Sequence, residues 1–432
     1  MKKVLVISYY WPPAGGISLL RCLKFVKYLP HFGWEPVVYT AKDAQYPYYD
    51  HFNFKDIPEG ITILSYPVIE PFNLFKMLSG RKKSDSLNNI VHVREEKTKW
   101  IDNLAIWIRG NFFIPDARSL WINPSVRFLS DYLEKNTIDA ILTDGPPHTN
   151  TMIGYKLSKK FNIPFLADFQ DPWTQADYYQ LMKITPWAHK KHRKLEQQVF
   201  KQASKITIAS RFWKRDLEKI GARDVDVIYW GYDEDDFEGL HQQRDQAFTI
   251  FHGGLLGYDR LPDGLFEALS SLVRETQNFE ENLKIKLAGQ VDFTVKEKLE
   301  RLGLTRFTEF MGTVSRAVAL QSALNAHILL LPLNKAENAK GRVPGKFFEY
   351  LRANRPILCL GPSEGDVPEI IEECKAGKTF DYGDINGIKN FVYEKFSLFL
   401  KGENNHQNIN IEKYFVKNQV QKVSQYLYEI VG

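Results

Sequence analysis

Short apolar runs recur along the chain. Each ends in glycine, proline or a polar turn, and most follow a stretch with helical spacing. Residues 3–8 are a β-branched run of the kind found in a central parallel strand. A loop with Pro12, Pro13, Gly15 and Gly16 follows. Leu19, Leu23, Val26 and Pro30 then fall at helical spacing, and Gly33 closes the element. Residues 36–39 are the next strand. This order opens a doubly wound α/β domain. The rhythm returns at residues 139–143, 165–169 and 205–209, which end in Gly145-Pro146-Pro147, Gln170-Asp171-Pro172-Trp173 and Ser210.

A second cycle begins near residue 248. Strands are expected over 248–252, 284–287, 307–311, 327–331 and 356–360. They run into Gly253-Gly254, Ala288-Gly289-Gln290, Gly312, Pro332 and Gly361. The pattern predicts two Rossmann-like α/β domains with a junction over residues 228–245. Ligands of such sheets lie beyond the carboxyl ends of the strands, so the strand-end loops are expected to converge on a cleft. Near the C-terminus Val416, Val420, Val423 and Leu427 form a helical stripe that needs a partner surface. The second domain is the default partner and the first the alternative.

The chain has 432 residues, 44% hydrophobic and 25% charged, enough for two or three ordinary domains. Lys2-Lys3 and Val4-Leu5-Val6-Ile7 resemble the start of a signal peptide. The apolar run is too short, however, and Trp11-Pro12-Pro13 ends it, so it reads as a buried strand. No apolar run reaches the roughly 18 residues that span a bilayer. Cys22, Cys359 and Cys374 show neither metal spacing nor a disulfide framework, which suits a reducing compartment such as the cytoplasm. A net charge of +5 is too small for a nucleic-acid partner. Arg81-Lys82-Lys83, Arg94, Lys97 and Lys99 follow the apolar Leu74, Phe75, Met77 and Leu78. That stretch is either a solvated insertion or a patch that meets anionic lipid at the inner face of the membrane.

Several loops carry candidate chemistry. Gly15-Gly16 permits a tight turn and close approach to a ligand, ahead of a helix N-terminus that favours anions. The loop is not GxGxxG, and the chain has no Walker A motif. It suits a phosphate or a sugar. A plain turn, with Arg21 paired to a surface acid, is an equal alternative. Gly253-Gly254 repeats the device, with Arg260 downstream as either a diphosphate ligand or a solvated arginine. Pro344 fits a helix start, and Lys346 and Glu349 then share one face. Lys346 and the free amides suit phosphate, and Glu349 suits ribose hydroxyls. Periodicity alone favours a surface ion pair between the two, worth about 0.3 kcal/mol.

In the first half, His148 is a sugar or acceptor contact, or simply polar surface. Asp168 and Asp171 either orient a hydroxyl and act as a base, or shape the loop. Trp173 reads as core. Asp116, Arg118 and Trp121 form a polar-aromatic group in which Trp121 stacks on a sugar or packs.

Six segments in order resemble the family 4 glycosyltransferases of the two-Rossmann (GT-B) architecture, most of all bacterial members that make surface polysaccharides. They are Pro12-Pro13-Ala14-Gly15-Gly16 through Arg21, Ile114-Pro115-Asp116-Ala117-Arg118, Gly145-Pro146-Pro147-His148, Asp168 through Trp173, Trp230-Gly231-Tyr232-Asp233, and Pro344-Gly345-Lys346-Phe347-Phe348-Glu349-Tyr350. The resemblance covers nearly the whole chain. It implies an acceptor domain over 1–228, a donor domain over 229–410, and a helix over 411–432 that crosses back to the first domain. The two domains would face a central cleft.

It further implies a retaining, metal-independent transfer from a nucleotide-diphosphate sugar to a glycan or lipid-linked acceptor, with no other cofactor. Donor contacts would come from Gly15, Gly16, Arg21, Gly254, Gly289, Gln290, Val314, Arg342, Val343, Pro344, Lys346 and Glu349. Acceptor contacts would come from Asp116, Arg118, Trp121, His148, Gln170, Asp171 and Trp173. Arg260, Lys346, His148 and Asp168 would be catalytic. For Lys346 and Glu349 the resemblance outweighs the ion-pair reading.

The chain departs from the family pattern twice. Many relatives have a glutamate eight positions before Glu349, where this chain has Gly341, so sugar contacts fall to backbone amides or Arg342. Gln170 stands where relatives often have Arg or His, which removes a charge. Two rival readings accompany the transferase: a nucleotide-sugar 2-epimerase of the same fold, and a non-catalytic transferase-like scaffold.

Overall fold

The computed structural model describes residues 1–46, 49–68, 100–336, 338–403 and 406–432. The basic and apolar cluster between Leu74 and Lys99 lies outside them. The chain forms two compact units. The first holds the described residues up to Trp230 together with Val416–Gly432, and the second is Gly231–Phe415.

In the first unit, β1 (Lys2–Ile7), β2 (Trp34–Lys42), β3 (Thr62–Pro67), β4 (Ala140–Gly145), β5 (Phe165–Phe169), β6 (Lys205–Ile208) and β7 (Val225–Val227) form one parallel sheet. Its order is β3-β2-β1-β4-β5-β6-β7. Helices α1 (Ile17–Tyr28), α2 (Trp100–Phe112), α3 (Ile122–Leu133), α4 (His148–Phe161), α5 (Asp177–Leu181), α6 (Pro186–Gln202) and α7 (Arg211–Lys219) connect the strands. The central strands are near-continuous apolar runs because helices cover both faces of a parallel sheet. β4 and β5 are buried along their whole length. Strand order reverses between β1 and β4, which sets the loops after these two strands side by side.

The second unit repeats the plan with β8 (Phe248–Gly253), β9 (Leu283–Ala288), β10 (Thr308–Gly312), β11 (Ile328–Pro332), β12 (Ile357–Leu360) and β13 (Gly377–Phe380). The parallel order is β10-β9-β8-β11-β12-β13, with its reversal between β8 and β11. The helices are α8 (Asp263–Glu275), α9 (Phe279–Asn282), α10 (Phe293–Arg301), α11 (Arg316–Asn325), α12 (Gly345–Ala353), α13 (Asp366–Glu373) and α14 (Ile385–Leu400). Local chemistry fixes several ends. Ser315 caps α11 by accepting from the Val318 amide, and Asp292 caps α10 through the Thr294 amide. Asn354, at φ +56°, ends α12 in the left-handed conformation.

The last helix, α15 (Val416–Val431), belongs to the first unit. Its stripe of Val416, Val420, Val423 and Leu427 is buried. The Tyr428 hydroxyl donates to the Phe32 carbonyl at 3.1 Å, and its ring centroid lies 5.0 Å from that of Trp34. Among the described residues no helix is long and apolar enough to cross a membrane, and all three cysteines are free and buried.

Candidate functional site

In the second unit the loops after β8, β9 and β10 are tied edge to edge. The Gly254 amide donates to the Ala288 carbonyl at 2.7 Å, and the Gly289 amide to the Gly312 carbonyl at 2.6 Å. Gly254, Gly289 and Gly312 all have positive φ, at +106°, +112° and +64°. At Gly289 a Cβ would lie 2.4 Å from the Gly254 carbonyl oxygen, so only glycine allows this approach. The three loops form a floor of bare backbone at the carboxyl edge of the sheet.

Helix α12 stands over that floor, and two of its side chains hold Gly253. The Lys346 ammonium donates to the Gly253 carbonyl at 2.7 Å, and the Tyr350 hydroxyl accepts from the Gly253 amide at 2.9 Å. They are four residues apart, one turn along the same helix face. Lys346 Nζ also lies 3.4 Å from His252 Nε2, and a Cβ at Gly254 would meet it at 3.1 Å. Neither hydrogen-bond partner of this ammonium is a carboxylate. Loss of solvent, with help from Arg260 and Arg342, brings its pKa down from 10.5 to about 7, and Glu349 opposes the shift. Burial and the same lysine push His252 well below the ordinary histidine range, so it stays neutral.

Glu349 is not paired with Lys346, so the surface i,i+3 ion pair is absent. Its Oε1 accepts from Arg316 Nη2 at 2.7 Å. Arg260 is not a solvated arginine either. It forms a two-pronged pair with Asp259, at 3.0 and 2.7 Å, and offers its charge with a counter-ion already attached. Val343 is buried and Pro344 is the N-terminal boundary residue of α12. The Gln290 carbonyl takes the Leu256 amide at 2.9 Å. Val314 lies in the β10–α11 loop, two residues before Arg316.

The first unit has its own buried polar cluster below the Gly15-Gly16 loop. Gly16, at φ +87°, is the boundary residue of α1. Arg21 is fully buried, and its partner acid is buried too. Nε and Nη2 grip the Asp168 carboxylate at 2.6 and 2.8 Å, and Thr207 Oγ1 adds a third contact at 2.5 Å. Arg21 Nη1 is buried with no hydrogen-bond partner. A carboxylate held this way fixes Arg21 in place. The second buried carboxylate of this cluster is Asp144, which the pattern does not single out. It takes hydrogen bonds from the neutral Ser8 hydroxyl and the Gln170 amide. Burial, then the Asp168 charge, raise it to about 7. Gln170 also donates to the Ser18 carbonyl at 3.1 Å, so it ties β5 to the start of α1.

His148 is not polar surface. It is 4% exposed and stacks on Trp173 with ring centroids 4.5 Å apart. Both of its ring nitrogens lack a hydrogen-bond partner, and burial lowers its pKa to about 3, so it is neutral. Trp173 donates to His192 at 3.0 Å and is core. Of its two readings Trp121 follows packing: it is buried, its face lies on Tyr39 at 5.1 Å, and its indole N–H donates to the Tyr66 carbonyl at 3.2 Å. Asp116 is bound to the Thr149 amide and hydroxyl at 2.8 and 2.9 Å, which caps α4. Arg118 covers the Tyr9 ring at 4.8 Å, and Asp171 is half-buried before Pro172.

Comparison of the sequence with protein-family models and with curated proteins finds no match. Solved structures do match in shape. An α,α-trehalose-phosphate synthase (UDP-forming) from Burkholderia vietnamiensis superposes at TM-score 0.62 with 10% identity, over 100% of this chain and 99% of that one. TarM from S. aureus, in complex with fondaparinux, alpha-GlcNAc-glycerol and UDP, gives 0.58 and 12%, over 99% and 100%. A protein described as a UDP-N-acetylglucosamine 2-epimerase from Listeria monocytogenes gives 0.55 and 12%, over 98% and 95%. At such identities the likeness is one of fold: the chain has the GT-B architecture of two Rossmann-like domains.

Proposed function

We propose that the chain is a glycosyltransferase that uses a nucleotide-diphosphate sugar and transfers its sugar to a glycan or lipid-linked acceptor. The observation that carries this reading is Lys346. It is an ammonium without a carboxylate partner, held over a floor of bare glycine backbone, at the start of a helix whose next turn presents Glu349. A diphosphate supplies the missing anion, the glycine floor leaves room for its close approach, the N-terminus of α12 favours its charge, and Glu349 takes the ribose hydroxyls.

In the reaction the bond from the anomeric carbon to the diphosphate oxygen breaks, and its electron pair leaves with the diphosphate. Lys346 and the N-terminus of α12 stabilise that charge. The acceptor oxygen bonds to the same face of the anomeric carbon, and its proton passes to the departing phosphate, so configuration is retained. Metal independence belongs to the same reading. Turnover unchanged after EDTA treatment supports it, and loss restored by a divalent ion removes it.

The test is a thermal-shift panel of UDP, GDP, ADP and their sugars. At 100 times its dissociation constant a ligand adds about 2.7 kcal/mol of stability. Lys346→Ala and Glu349→Ala abolish or sharply weaken the shift. If no nucleotide shifts the wild-type protein, the reading fails. The fold also admits an epimerase, as the Listeria likeness illustrates. Donor incubated without acceptor separates the two, since only an epimerase changes the sugar.

The reading includes a cytoplasmic protein at the inner face of the membrane. Trp187, Lys190, Lys191 and Lys194 are exposed on one face of α6, and Lys191 lies 5.3 Å from the Trp187 ring. Leu104, Trp107 and Phe112 of α2 are exposed as well. Asn111 joins α2 to the start of α6 by accepting from the Thr185 amide at 2.7 Å. Lysines beside exposed aromatic and aliphatic side chains suit anionic lipid.

A further inference from the structure

Arg316 holds Glu349. It is the first residue of α11, and its Nη2 lies 2.7 Å from Glu349 Oε1 and 3.0 Å from Asp236 Oδ2. The three residues come from separate elements of the second unit: a 3-10 turn over Glu234–Phe237, the start of α11 and the second turn of α12. Their exposure is graded. The Asp236 side chain is 2% exposed, against 16% for Arg316 and 18% for Glu349. One guanidinium therefore runs from a buried carboxylate anchor to a carboxylate at the surface of the site.

We infer that Asp236 and Arg316 form a positioning relay that sets ribose selectivity at Glu349. This rests on the donor-site reading above. A free glutamate side chain loses about 1.5–2 kcal/mol of rotamer freedom when it is fixed. Here the guanidinium fixes it before the ligand arrives, which is preorganisation. A carboxylate has about four lone-pair sites, so one taken by Arg316 leaves room for two hydroxyls. Arg316 also separates two carboxylates. The ligand class selected is a ribonucleoside diphosphate over one lacking the 2′ and 3′ hydroxyls.

The experiment is calorimetric titration of the whole protein with UDP, GDP and ADP and with their 2′,3′-dideoxy counterparts. The wild type is expected to prefer the ribo form by at least about tenfold, the value of one or two charge-assisted hydrogen bonds. Arg316→Ala loses most of that preference through weaker ribonucleotide binding, while dideoxynucleotide affinity stays within about twofold. Arg316→Lys restores part of it, and Asp236→Asn falls between. Urea midpoints identify any variant that has lost its fold, and Arg316→Lys then carries the test. Equal loss of ribo and dideoxy binding means a general structural role and overturns the inference. So does an Arg316→Ala variant with wild-type selectivity, in which case the donor site itself stands. If the wild type binds no nucleotide at all, the donor-site reading and the relay fall together.

Discussion

With its pKa near 7, Lys346 is half-charged at neutral pH in the free protein. A diphosphate binds the charged form, so above about pH 7 each binding event must first protonate the lysine. The affinity for a nucleotide sugar is therefore expected to fall between pH 7 and 9, by up to about tenfold per unit. A sugar-linked diphosphate is the right probe because it has no terminal phosphate proton to titrate in that window. Lys346→Arg keeps its charge throughout, so its affinity should be flat with pH whatever its absolute value. Stability moves the other way. The unfolded lysine titrates near 10.5 and the folded one near 7, so the unfolded chain binds more protons between these values and stability rises with pH. A wild-type affinity that does not change from pH 7 to 9 removes Lys346 from the phosphate site. The spacing of Lys346 and Glu349 is visible in sequence because both lie on one short helix. Their partners are not. Arg316 is 33 residues from Glu349, and Arg21 is 147 residues from Asp168. Such pairs leave no period or motif, and only the meeting of strand-end loops joins them.

At the scale of elements, the α6 face makes the membrane reading testable. Trp187, Lys190, Lys191 and Lys194 stand at i, i+3, i+4 and i+7, so one helix face presents an aromatic ring and three cations. Each lysine close to an anionic surface contributes about 1 kcal/mol, roughly fivefold in affinity. Co-sedimentation with phosphatidylglycerol vesicles should fall at least about tenfold in a Lys190→Glu, Lys191→Glu variant and should weaken with salt. Phosphatidylcholine vesicles should bind neither protein. If wild type and variant sediment equally with anionic vesicles, α6 is not the docking face.

The hydrophobic pattern locates ten of the thirteen strands in the described residues and omits β3, β7 and β13. All three are edge strands. An edge strand is paired on one side only, and β3 has no fully buried residue, so its sequence Thr-Ile-Leu-Ser-Tyr-Pro carries no buried-strand signal. The central strands are legible because both their faces are covered. The pattern leaves the readings of Trp121 and His148 open, because their burial depends on which loops pack over them.

At the scale of the whole molecule, the first unit is discontinuous in sequence. The second unit, Gly231–Phe415, lies between Trp230 and Val416, and α15 completes the first. Val416, Val420, Val423 and Leu427 are at most 3% exposed, and burying each such side chain contributes about 1.5–3 kcal/mol. Removal of Val416–Gly432 also frees the Phe32 carbonyl from Tyr428 and the Tyr229 amide from Gln419. Gly253, Gly289, Arg316, Lys346 and Glu349 all belong to the second unit. Calorimetry on the truncated chain should therefore show a low-temperature transition for the weakened first unit. A higher transition should keep its response to the nucleotide that stabilises the full-length protein. Tryptophan fluorescence helps to assign the lower step, since Trp34, which packs on Tyr428, reports the first unit. A truncated protein that keeps the full-length melting profile would mean that α15 adds little to the first unit. Loss of the nucleotide response with the second unit still folded would mean that the donor site needs residues outside Gly231–Phe415.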